Sequence, residues 1–296
     1  MHSGSAASGE RSAGVRASVL CYLHACPICG SAETNHYCRV RSLFRAGEFI
    51  VYERCRHCDV VFRNPRLPDV DRLQKYVEKP LDEQQTEFRP LSQAHYHHMM
   101  RTVRRLLAGA PRKRLLDFGS GAGGFLFEAR DAGFEVMGLE VNRALAEHVR
   151  RRYEIPVFCG QIDDPRFADE KFVAIVSSQV FEHLTDPLAT LLALKAHLEP
   201  PGALLIEVPN LSDIRERLRK GSSMDDSHLF YFNRRSLSTL LRSAGFTVHV
   251  VQEGLRPYRW IGGDGRALPS ILVDVWERCF SACQIKTGLS VLASLE

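Results

Sequence analysis

The chain has 296 residues, 45% hydrophobic and 25% charged, an ordinary globular composition with room for one large α/β domain and a small appendage. A net charge of +4 is too mild to imply nucleic acid as a partner. No uninterrupted apolar run approaches the roughly 20 residues that a membrane helix needs, which argues against a membrane association. Residues 1–20 are rich in Ser, Gly, Ala and Arg without an apolar signal core and read as a disordered leader.

Residues 21–68 are dominated by two pairs, Cys26–Cys29 and Cys55–Cys58, each with Cys-x-x-Cys spacing. Each pair forms a knuckle that presents two thiolates to one metal, and two knuckles close a tetrahedral site. Such a site has no open position, so the zinc it implies is structural. That zinc supplies folding energy which a module of this size cannot draw from its own core. Four ligands suffice, which leaves Cys38 and His57 out. With the cysteines read as metal ligands rather than disulfides, the expected setting is reducing and cytoplasmic. Between the pairs, residues 37–40 and 48–52 read as short strands around a turn at Ala46-Gly47.

Residues 69–110 form a helical linker or cap, with helical periodicity at 69–79 and 84–108. Its histidines His95 and His98 share a helix face, so a metal site is conceivable there, although a solvated cluster is the commoner outcome. Arg101, Arg104, Arg105, Arg112, Lys113 and Arg114 form a basic stretch that reads as a solvated face before it reads as a phosphate site.

From residue 111 onward strand and helix patterns alternate. Strands are expected at 114–118, 135–140, 156–159, 172–177 and 203–208, with helices near 123–132, 142–152 and 186–198. Asp186-Pro187 starts the last of these helices, and Pro200-Pro201-Gly202 stops it. A further helix at 234–244, a strand at 247–251, an amphipathic helix at 268–283 and a strand at 289–295 complete the domain, 111–296. The pattern specifies α/β architecture: a doubly wound, mostly parallel seven-stranded sheet with helices on both faces.

The most informative stretch is Leu115-Leu116-Asp117-Phe118-Gly119-Ser120-Gly121-Ala122-Gly123-Gly124-Phe125. A buried strand ends there, and glycines at alternate positions turn the chain into a helix where the backbone must approach a ligand. The turn alone fits any nucleotide-like cofactor. Glu140, closing the next apolar run, is placed to accept hydrogen bonds from both ribose hydroxyls of an adenosine.

The acidic residue ahead of the glycines distinguishes this turn from Gly-x-Gly-x-x-Gly. Asp117 resembles the acidic residue beside the methionine part of the cofactor in Rossmann-like S-adenosylmethionine-dependent methyltransferases. Pro156 to Asp163 resembles their third strand and adenine-side loop, and Val173 to Pro187 their fourth strand and its loop. Leu198 to Asn210 resembles the run through their fifth strand. Ser227-His228-Leu229-Phe230-Tyr231-Phe232 resembles their substrate-side loop. An N-terminal four-cysteine, zinc-ribbon-like module ahead of this domain resembles the bacterial subgroup that includes sugar C-methyltransferases. The resemblance implies S-adenosyl-L-methionine held by Asp117, Gly119, Ser120, Gly121, Gly123, Glu140, Val141, Gln161, Ile162, Ser178 and Gln179, and zinc held by Cys26, Cys29, Cys55 and Cys58. The subgroup also tends to have a Tyr and a Glu before the His of the substrate loop. This chain has Met224-Asp225-Asp226-Ser227 before His228, a departure from C-methylation in which Asp226 stands nearest to the missing carboxylate.

Methyl transfer from a sulfonium is an in-line displacement in which the protein aligns the partners and, for a hydroxyl or carbon nucleophile, removes a proton. Imidazole suits that task near neutral pH. His183, past the fourth strand, and His228, in the substrate-side loop, are the two candidates for the base. The leading expectation is a small-molecule acceptor such as a nucleotide-linked sugar, a natural product or a polysaccharide intermediate. The alternative is ribosomal or transfer RNA, with the zinc module as the recognition element and a more basic, aromatic-bearing surface. A monomer and a homodimer are both compatible with the sequence.

Overall fold

The computed structural model describes residues 20–42, 47–66, 76–81, 90–107, 114–211, 227–254 and 288–295. The expected helix at 268–283, most of that at 69–79, and Met224 to Asp226 lie outside these residues.

The central sheet begins with β4 (Arg114–Phe118), β5 (Glu135–Glu140), β6 (Val157–Cys159), β7 (Phe172–Ser178) and β8 (Leu198–Pro209). All but the last residue of β7 are buried. That is the pattern of a central parallel strand covered on both faces. β10 (Phe246–Gly254) and β11 (Gly288–Leu295) complete seven strands in the order β10-β11-β8-β7-β4-β5-β6. β4 to β8 pair in parallel, and β11 inserts antiparallel between β8 and β10. This is the Rossmann-like methyltransferase sheet, with its strand order reversing between β4 and β7.

Alternation along each strand feeds two apolar layers. On one face Leu115, Val136, Val176 and Leu205 pack with Met99 and Val103 of α1 (Pro90–Leu106), Phe125 and Leu126 of α2 (Gly124–Asp131), and Val149 of α3 (Arg143–Tyr153). On the other, Leu116, Phe118, Ile175 and Ile206 meet Leu191 and Leu194 of α4 (Pro187–Ala196) and Leu237 and Leu241 of α5 (Arg234–Ser243). Helix starts follow local chemistry. The Asn142 side chain accepts from Leu145 N, Asp186 from Ala189 N with Pro187 in the first turn, and Asn233 forms a reciprocal capping box with Ser236.

The cysteine module contributes an antiparallel sheet of β1 (Thr34–Arg41), β2 (Phe49–Cys55) and β3 (Val61–Arg63). Its fourth strand comes from far along the chain: β9 (Phe230–Tyr231) pairs with β3, Val61 opposite Tyr231 and Phe62 opposite Phe230. β3 and β9, three and two residues long, were not foreseen from sequence. Cys26, Cys55, Cys58, Val60 and Phe62 share one apolar cluster with Phe230, Phe232 and Leu237.

Candidate functional site

At the carboxyl end of β4 the chain turns through Gly119, Gly121 and Gly123 with φ of 78°, 52° and 81°, a region only glycine enters freely. A Cβ on Gly119 would collide with Val180 Cγ2, whereas one on Gly121 would meet nothing within 4 Å. The middle glycine therefore faces open space, where a ligand can approach the backbone. Ser120 is buried with its Oγ against Gly138 of β5, which explains the glycine at that strand position.

Glu140 ends β5 with its carboxylate pinned by two backbone amides. Gly121 N donates to Oε2 at 2.8 Å and Asn142 N to Oε1 at 2.9 Å. Burial raises its pKa against the opposing pull of these amides. Asp117 is 4% exposed, and among the described residues no hydrogen-bond donor meets its carboxylate. Burial, reinforced by the charge of Glu140, pushes its carboxyl up to about 8. A buried acid of this kind suits a cationic ligand, whose charge favours the carboxylate. Val141 is half-buried beyond β5, and Gln161 and Ile162 follow β6, the first exposed and the second buried. Ser178 ends β7 and Gln179 follows it. Gln179 adopts φ 62° without being glycine, with its N donating to Glu207 O at 2.9 Å. Strained backbone of this kind is concentrated at sites where geometry is fixed for function.

The turn after β7, Phe181–His183, brings the two candidate histidines together: the ring centroids of His183 and His228 are 4.7 Å apart. His183 Nδ1 donates to Ser227 O at 2.8 Å. A carbonyl oxygen only accepts, so Nδ1 carries a proton and, in the neutral ring, Nε2 the lone pair. Glu182 is fully buried, and its carboxylate lies with one nitrogen of each histidine inside a 4.8 Å cluster that has the donor set for a divalent cation.

Tyr76 and Asn142 are participants that sequence reasoning missed. The Asn142 side-chain amide donates to Tyr76 O at 2.7 Å and Lys79 O at 2.9 Å, while Tyr76 Oη lies 2.9 Å from His183 Nδ1. Tyr76 thus bridges from the end of β5 to the end of β7, past the glycine turn between them. An Asn at a helix N-cap was legible in the sequence, but the distant segment that it grips was not.

The helical histidines do not converge. His95 Nε2 lies 2.7 Å from Glu207 Oε2, His97 Nε2 2.7 Å from Glu128 Oε2, and His98 Nε2 3.0 Å from Gln252 Oε1. Of the basic stretch, Arg114 sits at the amino end of β4, away from the glycine turn, paired with Glu135 and Glu170.

The four cysteine sulfurs lie within 4.8 Å of one another, with Cys26–Cys58 and Cys29–Cys55 at 3.6 Å. A tetrahedral zinc with bonds of about 2.3 Å sets its sulfurs about 3.8 Å apart, so the arrangement fits. The knuckles are alike: Ile28 N points to Cys26 Sγ and Cys58 N to Cys55 Sγ, and Gly30 and Asp59 follow them in the left-handed region. The contact with Cys58 lowers Cys26 to about 5 while raising Cys58, a charge distribution that favours a metal-binding thiolate.

A family model described as a methyltransferase domain matches residues 91–251, which is 161 of the 296 residues, and the chain belongs to that family. It is 29% identical over 135 residues to a probable S-adenosylmethionine-dependent methyltransferase of Mycolicibacterium smegmatis, covering 45% of this chain and 52% of that one. It is 30% identical over 138 residues to the C-methyltransferase NovU of Streptomyces niveus, covering 45% and 33%. The chain thus spans about half and one third of the length of these two relatives. A SAM-dependent methyltransferase of known structure from Archaeoglobus fulgidus is 15% identical with a TM-score of 0.49, covering 77% of this chain and all of that one. Among the described residues no helix is long and apolar enough to cross a membrane.

Proposed function

We propose that the protein transfers the methyl group of S-adenosylmethionine to a small-molecule acceptor, with His183 as the base. The observation that carries this reading is the unpartnered, buried Asp117 beside the pinned Glu140 at an open glycine turn, with the histidine pair at the neighbouring strand end. Asp117 receives the cationic methionine part and Glu140 the ribose hydroxyls. Gly119, Ser120, Gly121 and Gly123 bring backbone close to the cofactor, and Val141, Gln161, Ile162, Ser178 and Gln179 line it. When bound, the cofactor supplies an activated methyl group. The protein aligns the acceptor, excludes water and takes a proton at His183 Nε2, while His228 orients the acceptor.

Cys26, Cys29, Cys55 and Cys58 hold a structural zinc. The relative named as a C-methyltransferase fits a small acceptor, and the mild charge of +4 gives RNA no comparable support. The test is a screen of S-adenosylmethionine consumption against nucleotide-linked sugars, phenolics and RNA, with mass detection of the product. Methylation of a small molecule that is lost in His183→Asn is the expected result. Methylation of RNA alone overturns the acceptor class, and full turnover by His183→Asn overturns the base.

A further inference from the structure

Three successive carbonyls around His228 are gripped from different parts of the chain. Ser227 O accepts from His183 Nδ1 at 2.8 Å. His228 O accepts from Tyr52 Oη at 2.9 Å, and Leu229 O accepts from Arg63 N at 2.8 Å. Tyr52 and Arg63 belong to β2 and β3 of the cysteine module, and Tyr52 is fully buried against Tyr231 with ring centroids 5.5 Å apart. Just beyond, β9 completes the module's sheet, and Asn233 Nδ2 donates to Asp59 Oδ2 at 2.6 Å. Asp59 is the residue that follows the second cysteine knuckle.

We propose that the cysteine module sets the tautomer of the catalytic histidine, with Tyr52 as the positioning residue. The inference rests on the methyltransferase reading of this site and assigns the module a role in it. The sequence of contacts is short. Tyr52 and Arg63 fix the carbonyls of His228 and Leu229, and this fixes the direction of the preceding Ser227 carbonyl. That carbonyl, with Tyr76 Oη 2.9 Å from the same nitrogen, holds the proton on His183 Nδ1 and leaves the lone pair of Nε2 on the opposite side of the ring. A buried hydroxyl donating to a backbone carbonyl is a directional constraint, and the ring of Tyr52 is held by its own packing. Tyr76 Oη also donates to Ser227 O, at 3.3 Å, so the loss of the Tyr52 hydroxyl removes the module's side-chain anchor and not every anchor. With His228 O released, the Ser227 carbonyl turns more freely and either nitrogen of His183 can carry the proton.

The test uses full-length, zinc-loaded protein with 15N-labelled histidine and saturating S-adenosylhomocysteine, and reads the ring-nitrogen signals of His183 above its titration range. His183→Asn supplies the assignment. The wild type should show well-separated nitrogens, with Nδ1 protonated. In Tyr52→Phe, which keeps the ring and removes only the hydroxyl, the two signals should move toward each other as the tautomers mix, while zinc content and S-adenosylhomocysteine affinity stay unchanged. Asp59→Ala, which removes the shorter of the two hydrogen bonds from Asn233 to the module, should act in the same direction and serves if Tyr52→Phe does not fold. Separate signals in both variants would overturn the inference, as would a wild-type His183 protonated at Nε2. Full methyl transfer by His183→Asn overturns the base assignment instead, and does so whatever the tautomer result.

Discussion

The imidazoles of His183 and His228 meet with centroids 4.7 Å apart, although one follows β7 and the other precedes β9. Tyr76 packs on His183 at 5.3 Å, and Tyr231 packs on His228 at 5.2 Å. The histidines therefore stand in an aromatic file, with one ring nitrogen of His183 committed to a backbone carbonyl. Removing a positioned base costs about 10²- to 10⁴-fold in rate. His183→Asn is expected to lose turnover on that scale while S-adenosylmethionine affinity, measured by calorimetry, changes little. His228→Asn is expected to raise KM more than it lowers kcat, as the proposed role of that ring in orienting the acceptor requires.

The Glu182, His183 and His228 cluster has the donors for a divalent cation, yet the base mechanism needs none. Methyl transfer by zinc-loaded protein should proceed at the same rate in magnesium, in manganese and with neither. A strict requirement for an added cation would make these residues ligands and remove His183 from the role of base.

Asp117 gives a pH dependence with a definite sign. Its carboxyl is raised from 3.8 to about 8 without cofactor, so at neutral pH it is largely protonated and binding the cation must expel that proton. S-adenosylmethionine affinity should rise with pH, by at most about tenfold per unit, and level off near 8. Asp117→Asn should bind weakly with no such slope. Stability runs the other way. The folded state holds a proton that the unfolded chain releases, so the cofactor-free protein loses stability as pH climbs from about 4 to about 8. Thermal unfolding across that range should show a decline in the wild type that is flattened in Asp117→Asn.

Two roles within the glycine turn separate by substitution. At Gly121 an added Cβ meets nothing within 4 Å, and the left-handed φ of 52° costs about 1–2 kcal/mol. Gly121→Ala should fold and lose mainly cofactor affinity, since the methyl enters the open space proposed for the cofactor. At Gly119 the Cβ strikes Val180, whose turn carries His183, so Gly119→Ala should lower Tm further. Pairing it with Val180→Ala should recover part of that loss. No recovery would show that the strain lies in the backbone alone.

The strand and helix order was legible because continuous apolar runs such as Phe172 to Ser177 and caps such as Asp186-Pro187 and Asn142 act over a few residues. The glycine turn and Glu140 were legible for the same reason. The alliance of β3 with β9 was not, since two- and three-residue strands carry no periodicity and their pairing is a tertiary event. Tyr76 was hidden in a helical pattern, and its link to His183 crosses more than a hundred residues. Gln179 gave no sign of its positive φ, which a bulky polar residue adopts only when its surroundings impose it.

The cysteine centre makes the last prediction, on stability and on the site together. Its sulfurs already lie 3.6 Å apart in pairs, so metal binding requires little rearrangement, and one zinc per chain should be found by metal analysis of protein purified without added metal. Cys26→Ser removes one of the four proposed ligands, at a sulfur buried in the same apolar cluster as Phe230 and Phe232. Its effect should therefore reach beyond the module. β9 pairs with β3, and the loop ahead of it carries His228, so loss of the metal should loosen the acceptor side. The cofactor side at Asp117, Gly121 and Glu140 draws on β4 and β5, which do not pair with the module. A chelated or Cys26→Ser protein should thus keep S-adenosylhomocysteine affinity within a few-fold while hydrogen exchange at 228–233 accelerates. Equal protection at 228–233 with and without metal would show that the module and the acceptor loop are energetically independent.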